Sequence, residues 1–326
     1  MRVLIADFDY ADVDLERGIL EGAGLEVIEA QCRTEDDVIE AGRGVAALLT
    51  QYAPITAGVL AGLPELGLVV RYGVGYDIVD VEAARERGVW VANVPDYGTE
   101  EVAVHALAMT LGLLRHLPLY DRDVREGRWH PASTGPLRRL KTLTLGVVGL
   151  GRIGGTFARR ASPWFGRTLG CDPYLAEEAW PAGVGRASLE EVFSESALVS
   201  LHAPLTKETR GFINRDLFGR MREGSYLVNT ARGALVVIED LLWALDEGPL
   251  AGAALDVLPQ EPPPTGHPLL SNPNVILTPH AAYYSLEAEE EARRKAAQNV
   301  VAWAREGRPL YPVVEGRVRL AERPER

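Results

Sequence analysis

The stretch that most restricts this chain runs over residues 145–160, where an apolar strand-like segment leads through Gly149-Leu150-Gly151-Arg152-Ile153-Gly154 into a helical pattern. Alone, such a glycine pattern is weak evidence. Leaving a strand and opening a helix, it sits in the context a dinucleotide site requires. Gly149 permits the tight turn, Gly151 lets the backbone approach a pyrophosphate, and Gly154 allows the helix to pack closely on the strand. The helix N-terminus, with unpaired N–H groups and the positive end of its dipole, then holds the anion. A strand that feeds a helix in this way belongs to a parallel sheet covered by helices.

The remaining sequence extends that pattern. Apolar runs at 2–6, 45–49, 68–71 and 89–94 form one series, and runs at 144–149, 197–202, 225–231, 251–257 and 274–278 form another, with helical patterns between them. Alternation of this kind implies βαβ units, and 326 residues exceed one ordinary domain, so two doubly wound α/β domains are expected. Between the series, 99–115 reads as a helix apolar on nearly every face, capped by Thr99 with Glu100 and Glu101 in its first turn. Such a cylinder must be covered all round, by its own domain or by a second subunit, and a homodimer is expected through it. Residues 119–141 read as a polar surface crossing, and Pro163 should stop the helix that follows the glycine turn. The helix at 285–305 places Glu287, Glu289, Glu290 and Glu291 before Arg293, Arg294 and Lys295, which reads as a solvated face.

Composition removes several classes of function. A net charge of -12 repels phosphate backbones, so no nucleic-acid partner is expected. Cys32 and Cys171 are too few for a disulfide framework and have no metal-ligand spacing, so no metal is expected. The most apolar stretch, 102–114, is too short to span a bilayer, and the start lacks a signal-peptide pattern, so the chain reads as cytoplasmic with no membrane partner.

Asp172 ends the strand after the glycine turn, where a dinucleotide site places an acid for the ribose hydroxyls. No Lys or Arg adjoins it, so a 2′-phosphate would face an unpaired carboxylate and NAD is favoured over NADP. A hydride donor needs an acid to protonate the receiving oxygen, and His suits that task. Of six histidines, His202 ends a strand on the cofactor side and is expected to touch NAD, while His280 ends the last strand of the second series. Two further strand ends favour His280. The segment Asn229-Thr230-Ala231-Arg232 offers a guanidinium fork for a substrate carboxylate. Asp256 is followed by the proline-stiffened Leu258-Pro259-Gln260-Glu261-Pro262, where a carboxylate can hold an imidazolium in its proton-donating form.

With these residues on the page, the chain resembles the D-isomer-specific 2-hydroxyacid dehydrogenases, through VVGLGRIGG (147–155), LVSLHAPLTKETRGFIN (198–214), MREGSYLVNTARGALV (221–236), GAALDVLPQEP (252–262) and NPNVILTPHAA (272–282). Within that family it is most similar to the C-terminal-binding-protein-like and phosphoglycerate-dehydrogenase-like branch, by CDPYL (171–175) and TPHAAYYS (278–285). The resemblance implies Arg232 on the substrate carboxylate, Glu261 paired with His280, and His280 as acid/base. It also implies Asp256 at the nicotinamide carboxamide, Arg152 and Ile153 amides at the pyrophosphate, and Thr230 among the cofactor contacts. It further implies a Rossmann NAD-binding domain (99–283) inserted in a flavodoxin-like substrate domain (1–98 and 284–326).

VRYGVGYD (70–77) resembles the family's substrate loop, with Val74 and Gly75 amides cradling the carboxylate and Arg71 nearby; Gln51 and Tyr52 end a strand on the same side. Tyr283 replaces the branch's Trp, Ile78 replaces an Asn, and Val237-Ile238 replace an Asp-Glu that would cap a helix. The expected activity is NAD-dependent reduction of a small 2-keto acid to its D-2-hydroxy acid. The rivals are D-3-phosphoglycerate dehydrogenase and an NAD(H)-sensing scaffold, which would need only Gly151 and Asp172.

Overall fold

The structure is a computed structural model and describes residues 1–317. The chain divides into two compact units, residues 1–98 with 285–317, and Thr99–Tyr284. Tyr284 thus groups with the second unit, one residue beyond the expected boundary.

Numbered along the chain, the strands of the first unit are β1 (Arg2–Ile5), β2 (Glu26–Glu29), β3 (Ala47–Thr50), β4 (Leu68–Arg71), β5 (Trp90–Ala92) and β13 (Pro312–Val314). They pair in the order β13-β5-β4-β3-β1-β2, all parallel except β13 against β5. Alternate residues of the central strands point to opposite faces, so Leu4, Leu48 and Val69 enter one apolar cluster while Val3, Ile5, Leu49 and Val70 enter the other. Both faces are covered, which is why these strands read as unbroken apolar runs. Each fully buried Val or Leu contributes about 1.5–3 kcal/mol.

One expectation fails in this unit. The basic residues of the helix Leu286–Glu306 are not uniformly solvated. Arg293 grips Glu16 of the helix Asp14–Gly22 in a fork, with Nε 2.9 Å from Oε1 and Nη2 2.8 Å from Oε2. Its side chain is 11% exposed and that of Glu16 0%. The guanidinium also lies over the Tyr10 ring at 4.8 Å. Lys295 pairs with Asp96 and Glu291, and only Arg294 with Glu290 forms the exposed surface pair that the charge run suggests.

The second unit holds β6 (Thr144–Val148), β7 (Arg167–Cys171), β8 (Gly185–Arg186), β9 (Leu198–Leu201), β10 (Ser225–Asn229), β11 (Leu250–Leu255) and β12 (Val275–Leu277). Their order is β12-β11-β10-β9-β6-β7-β8, all parallel. The chain winds outward from β6 to one side and then from β9 to the other, so direction reverses between β6 and β9. Ligands of open α/β sheets bind at that switch point, outside the strands' carboxyl ends.

The apolar helix spans Thr99–Leu114 and packs Ala103, Ala106, Met109 and Leu113 into a cluster with Val147, Phe157, Val228 and Ala254. Its own domain therefore covers most of the cylinder, leaving Val104 (50% exposed) and Ala108 outside. The expected loop at 119–141 is partly helical, because Leu117–Arg125 forms a helix entered through a left-handed His116 and started by Pro118. The helix Arg152–Ala161 gives way to a 3-10 turn, Ser162–Trp164, at Pro163 as expected. The helix Ile238–Asp246 has Val237 at its N-cap and no side-chain cap, the consequence expected of the Val237-Ile238 replacement. Among the described residues no single helix is long and apolar enough to cross a membrane.

Candidate active site

The glycine turn is built by close approach. Gly149 has φ 85°, and a Cβ there would lie 2.7 Å from the Ala203 nitrogen; a Cβ on Gly154 would lie 2.0 Å from the Gly149 carbonyl oxygen. These two glycines are required by packing. Gly151 is different: a Cβ there would meet nothing within 4 Å, and no side chain caps the helix Arg152–Ala161 that it opens. A bare helix N-terminus facing open space fits a dinucleotide pyrophosphate, with the Arg152 and Ile153 amides as donors.

Asp172 is engaged within the protein itself. Its Oδ2 accepts the Leu150 N–H at 2.8 Å and its Oδ1 accepts those of Tyr174 and Leu175 at 3.0 and 3.2 Å. The carboxylate ties the end of β7 to the glycine turn, and Oδ2, with one donor, keeps acceptor capacity for a hydroxyl. His202 packs into the same turn: a Cβ on Gly154 would lie 2.9 Å from its Cβ, and its ring tilts against Phe157 at 4.8 Å. Its Nε2 meets Ser200 Oγ at 2.9 Å, and burial pushes its pKa down to about 3, so the ring is neutral. Nδ1 of His202 and Oγ1 of Thr230 are buried without a hydrogen-bond partner among the described residues.

At the ends of β10, β11 and β12 the proposed chemistry gathers. His280 Nδ1 lies 2.6 Å from Glu261 Oε2, and Glu261 Oε1 accepts the Leu258 N–H at 2.8 Å. Burial pushes the Glu261 carboxyl up, but the His280 hydrogen bond and charge, the Leu258 N–H and the Arg232 charge outweigh it, so its pKa lies below the usual carboxylate range. The side chain is ionised near neutrality and is an acceptor for the ring N–H. His280 has φ 55°, a left-handed conformation that a non-glycine residue holds only where its surroundings impose it. What imposes it is Asp256, whose carbonyl accepts the His280 N–H at 2.8 Å and whose buried carboxylate accepts Thr278 Oγ1 at 2.5 Å and the Ala281 and Ala282 N–H groups at 2.9 Å each. The Tyr283 ring stands edge-on to His280, centroids 6.3 Å apart.

Arg232 is brought to the same loops by two residues that the sequence reading passed over. The Asn229 side chain donates to the Arg232 carbonyl at 2.9 Å and accepts the Ala231 N–H at 3.0 Å, shaping the turn. Gly233 lets that turn press on the next one, since a Cβ there would lie 2.0 Å from the Leu258 carbonyl carbon. Thr278 and His105, whose Nε2 lies 3.1 Å from Thr278 Oγ1, were also missed; the position of Thr278 two residues before His280 was the available signal.

Within the first unit, the loops after β1, β3 and β4 adjoin its own switch point. Asp7, buried, accepts Thr50 Oγ1 and the N–H groups of Gln51, Tyr52 and Ala53. Gln51 is buried and donates to Asp9 at 2.6 Å, while the half-exposed Tyr52 donates to Asp9 at 2.9 Å. Arg71 ends β4, and Gly73, with φ 121°, leaves room for its guanidinium, because a Cβ would lie 1.9 Å from Nη1. Val74 accepts from Asn93 Nδ2 at 2.7 Å, and Gly75 follows it in the partly exposed loop.

The family model of the D-isomer specific 2-hydroxyacid dehydrogenase NAD binding domain matches residues 107–282. A glyoxylate reductase of Korarchaeum cryptofilum is 42% identical over 266 residues, covering 80% of this chain and 79% of that enzyme. The crystal structure of the TT0316 protein from Thermus thermophilus is similar at TM-score 0.84 with 38% identity, over 96% of this chain and 100% of that one. A D-lactate dehydrogenase from Aquifex aeolicus, solved with NAD and lactic acid, gives TM-score 0.86 and 30% identity over 94% of this chain and 98% of that one. With the glycine turn, the strand-end Arg and the Glu–His pair all in place, these likenesses make the chain a member of the D-isomer-specific 2-hydroxyacid dehydrogenase family, an oxidoreductase with that family's NAD-binding domain.

Proposed function

We propose that the protein reduces a small 2-keto acid to its D-2-hydroxy acid with NADH, His280 donating the proton, Glu261 holding the ring in place and Arg232 gripping the carboxylate. The observation that carries this is the 2.6 Å contact of His280 with Glu261 beside the strand-end Arg232. The bound nicotinamide supplies the hydride. Gly149, Gly151, Arg152, Ile153, Gly154, Asp172, His202, Thr230 and Asp256 are the residues we assign to holding it. Substrate recognition is assigned, by family resemblance, to Arg71, Val74, Gly75, Gln51, Tyr52 and Tyr283. A sensor of NAD(H) would have no use for the Glu261–His280 pair, so its retention favours turnover. NADH oxidation measured over glyoxylate, hydroxypyruvate, pyruvate, phenylpyruvate and 3-phosphohydroxypyruvate tests the reading, glyoxylate first because the Korarchaeum relative is a glyoxylate reductase. Absence of turnover on all of them would leave the sensor.

Asp172 sets the cofactor expectation. A carboxylate accepts a ribose hydroxyl but repels a 2′-phosphate, so NADH should exceed NADPH by at least about tenfold in kcat/KM, roughly 1.4 kcal/mol. Comparing both cofactors on the wild type decides it, and a preference for NADPH would overturn the assignment.

We also propose a homodimer in a reducing, cytoplasmic setting. Val104, Leu117 and Val124 are 50%, 58% and 46% exposed on the helices Thr99–Leu114 and Leu117–Arg125, apolar side chains that a second copy would cover. Both cysteines are free. Sedimentation at micromolar concentration that finds only a 35.5 kDa species would exclude the dimer.

A further inference from the structure

His105 stands on the helix Thr99–Leu114 with its Nε2 turned toward polar groups at the end of β12, 3.8 Å from the Asp256 carboxylate. Its ring is 27% exposed, and its Nε2 lies 3.1 Å from Thr278 Oγ1. The Thr278 hydroxyl has one proton and donates it to Asp256 Oδ1 at 2.5 Å. Toward the imidazole the same oxygen therefore accepts, and His105 Nε2 carries the proton. The chain of donors then runs from His105 through Thr278 to Asp256, which also fixes the N–H groups of Ala281 and Ala282 directly after His280. Bonded on both sides, the Thr278 oxygen is held between the two partners and its bond to Asp256 is strengthened by the one it accepts.

We infer that His105 is a positioning residue for the reaction: by donating to Thr278 it locks the hydroxyl that orients Asp256, and thereby the backbone that holds His280 in its left-handed conformation. The inference rests on the reading of His280 as the acid. It makes the helix Thr99–Leu114 a support of the reacting groups as well as a core element.

Two measurements test it. In the apoenzyme labelled with 15N-histidine, His105 Nε2–H should give a slowly exchanging imidazole resonance, absent from His105→Gln and lost to exchange in Thr278→Val. In steady-state kinetics, His105→Leu keeps the bulk without the donor, and kcat for 2-keto acid reduction should fall about five- to tenfold, the effect of one neutral hydrogen bond. His105→Gln keeps an N–H donor and should recover to within about twofold, and His105→Leu combined with Thr278→Val should cost less than the product of the two single effects, since both act through one network. A wild-type kcat in His105→Leu, an additive double variant, or no slowly exchanging resonance in the wild type overturns the inference alone. Inactivity of the wild type on every 2-keto acid overturns the reading of His280, and this inference with it.

Discussion

His280→Ala should lower kcat for 2-keto acid reduction by about 10²- to 10⁴-fold, the range for a positioned general acid, while NADH affinity stays nearly intact. The separation follows from the geometry: His280 is held by Glu261 and the Asp256 backbone, whereas the glycine turn is built from Gly149, Gly154 and His202. Steady-state kinetics with fluorescence titration of NADH check both halves, and an unchanged kcat on the best substrate would remove His280 from the mechanism. Glu261→Gln gives the companion result. The ionised carboxylate lies 2.6 Å from His280 Nδ1 and fixes the ring for donation from the other nitrogen, so its loss should lower kcat with the fold and NADH affinity intact, and an unchanged kcat would remove Glu261 from the mechanism.

Arg293→Leu should destabilise the first unit by about 3–5 kcal/mol, as expected when one partner of a buried ion pair is removed. Glu16, with a side chain 0% exposed, would lose the guanidinium donors to both its oxygens and keep an uncompensated charge. Urea unfolding followed by intrinsic fluorescence measures the loss. Replacing both partners with apolar residues, Glu16→Met with Arg293→Leu, should recover most of it, since the desolvation cost disappears with the charges. A single-variant loss below about 1 kcal/mol would class the pair with exposed ion pairs.

The contrast between these two sites shows what a sequence exposes. Gly149, Gly151 and Gly154 could be read because each answers a backbone requirement stated by its neighbours in the chain. Arg232 and His280 could be read because both stand where apolar runs end, and strand ends are where such sheets work. Arg293 was misread because Glu289, four residues earlier, supplies a sufficient surface partner, while Glu16 is distant in the chain. Strand β2 hid because its apolar run is only Val27 and Ile28, both partly buried and flanked by exposed glutamates on an edge, and β13 because it starts at a proline and pairs antiparallel. The helix Leu117–Arg125 hid behind a left-handed His116 and a proline that reads as a breaker but occupies its first turn. Gly233 and His105 carry no local signature. Their reasons, the carbonyl of Leu258 and the hydroxyl of Thr278, exist only once the strands are side by side.

The bond from Asp172 to the Leu150 amide has a consequence for how this enzyme could be retuned by mutation or by natural drift. Exchanging the acid for a residue that tolerates a 2′-phosphate also releases the turn against which any phosphate must rest, so a one-step route to NADPH passes through a loosened loop. Asp172→Ala would lose affinity for both cofactors before gaining either. Asp172→Ser retains an oxygen acceptor for the loop, and with a cation introduced at the exposed Tyr174 it offers a path on which discrimination changes while the loop keeps its brace. Cofactor choice in this chain is thus inherited together with the rigidity of the turn.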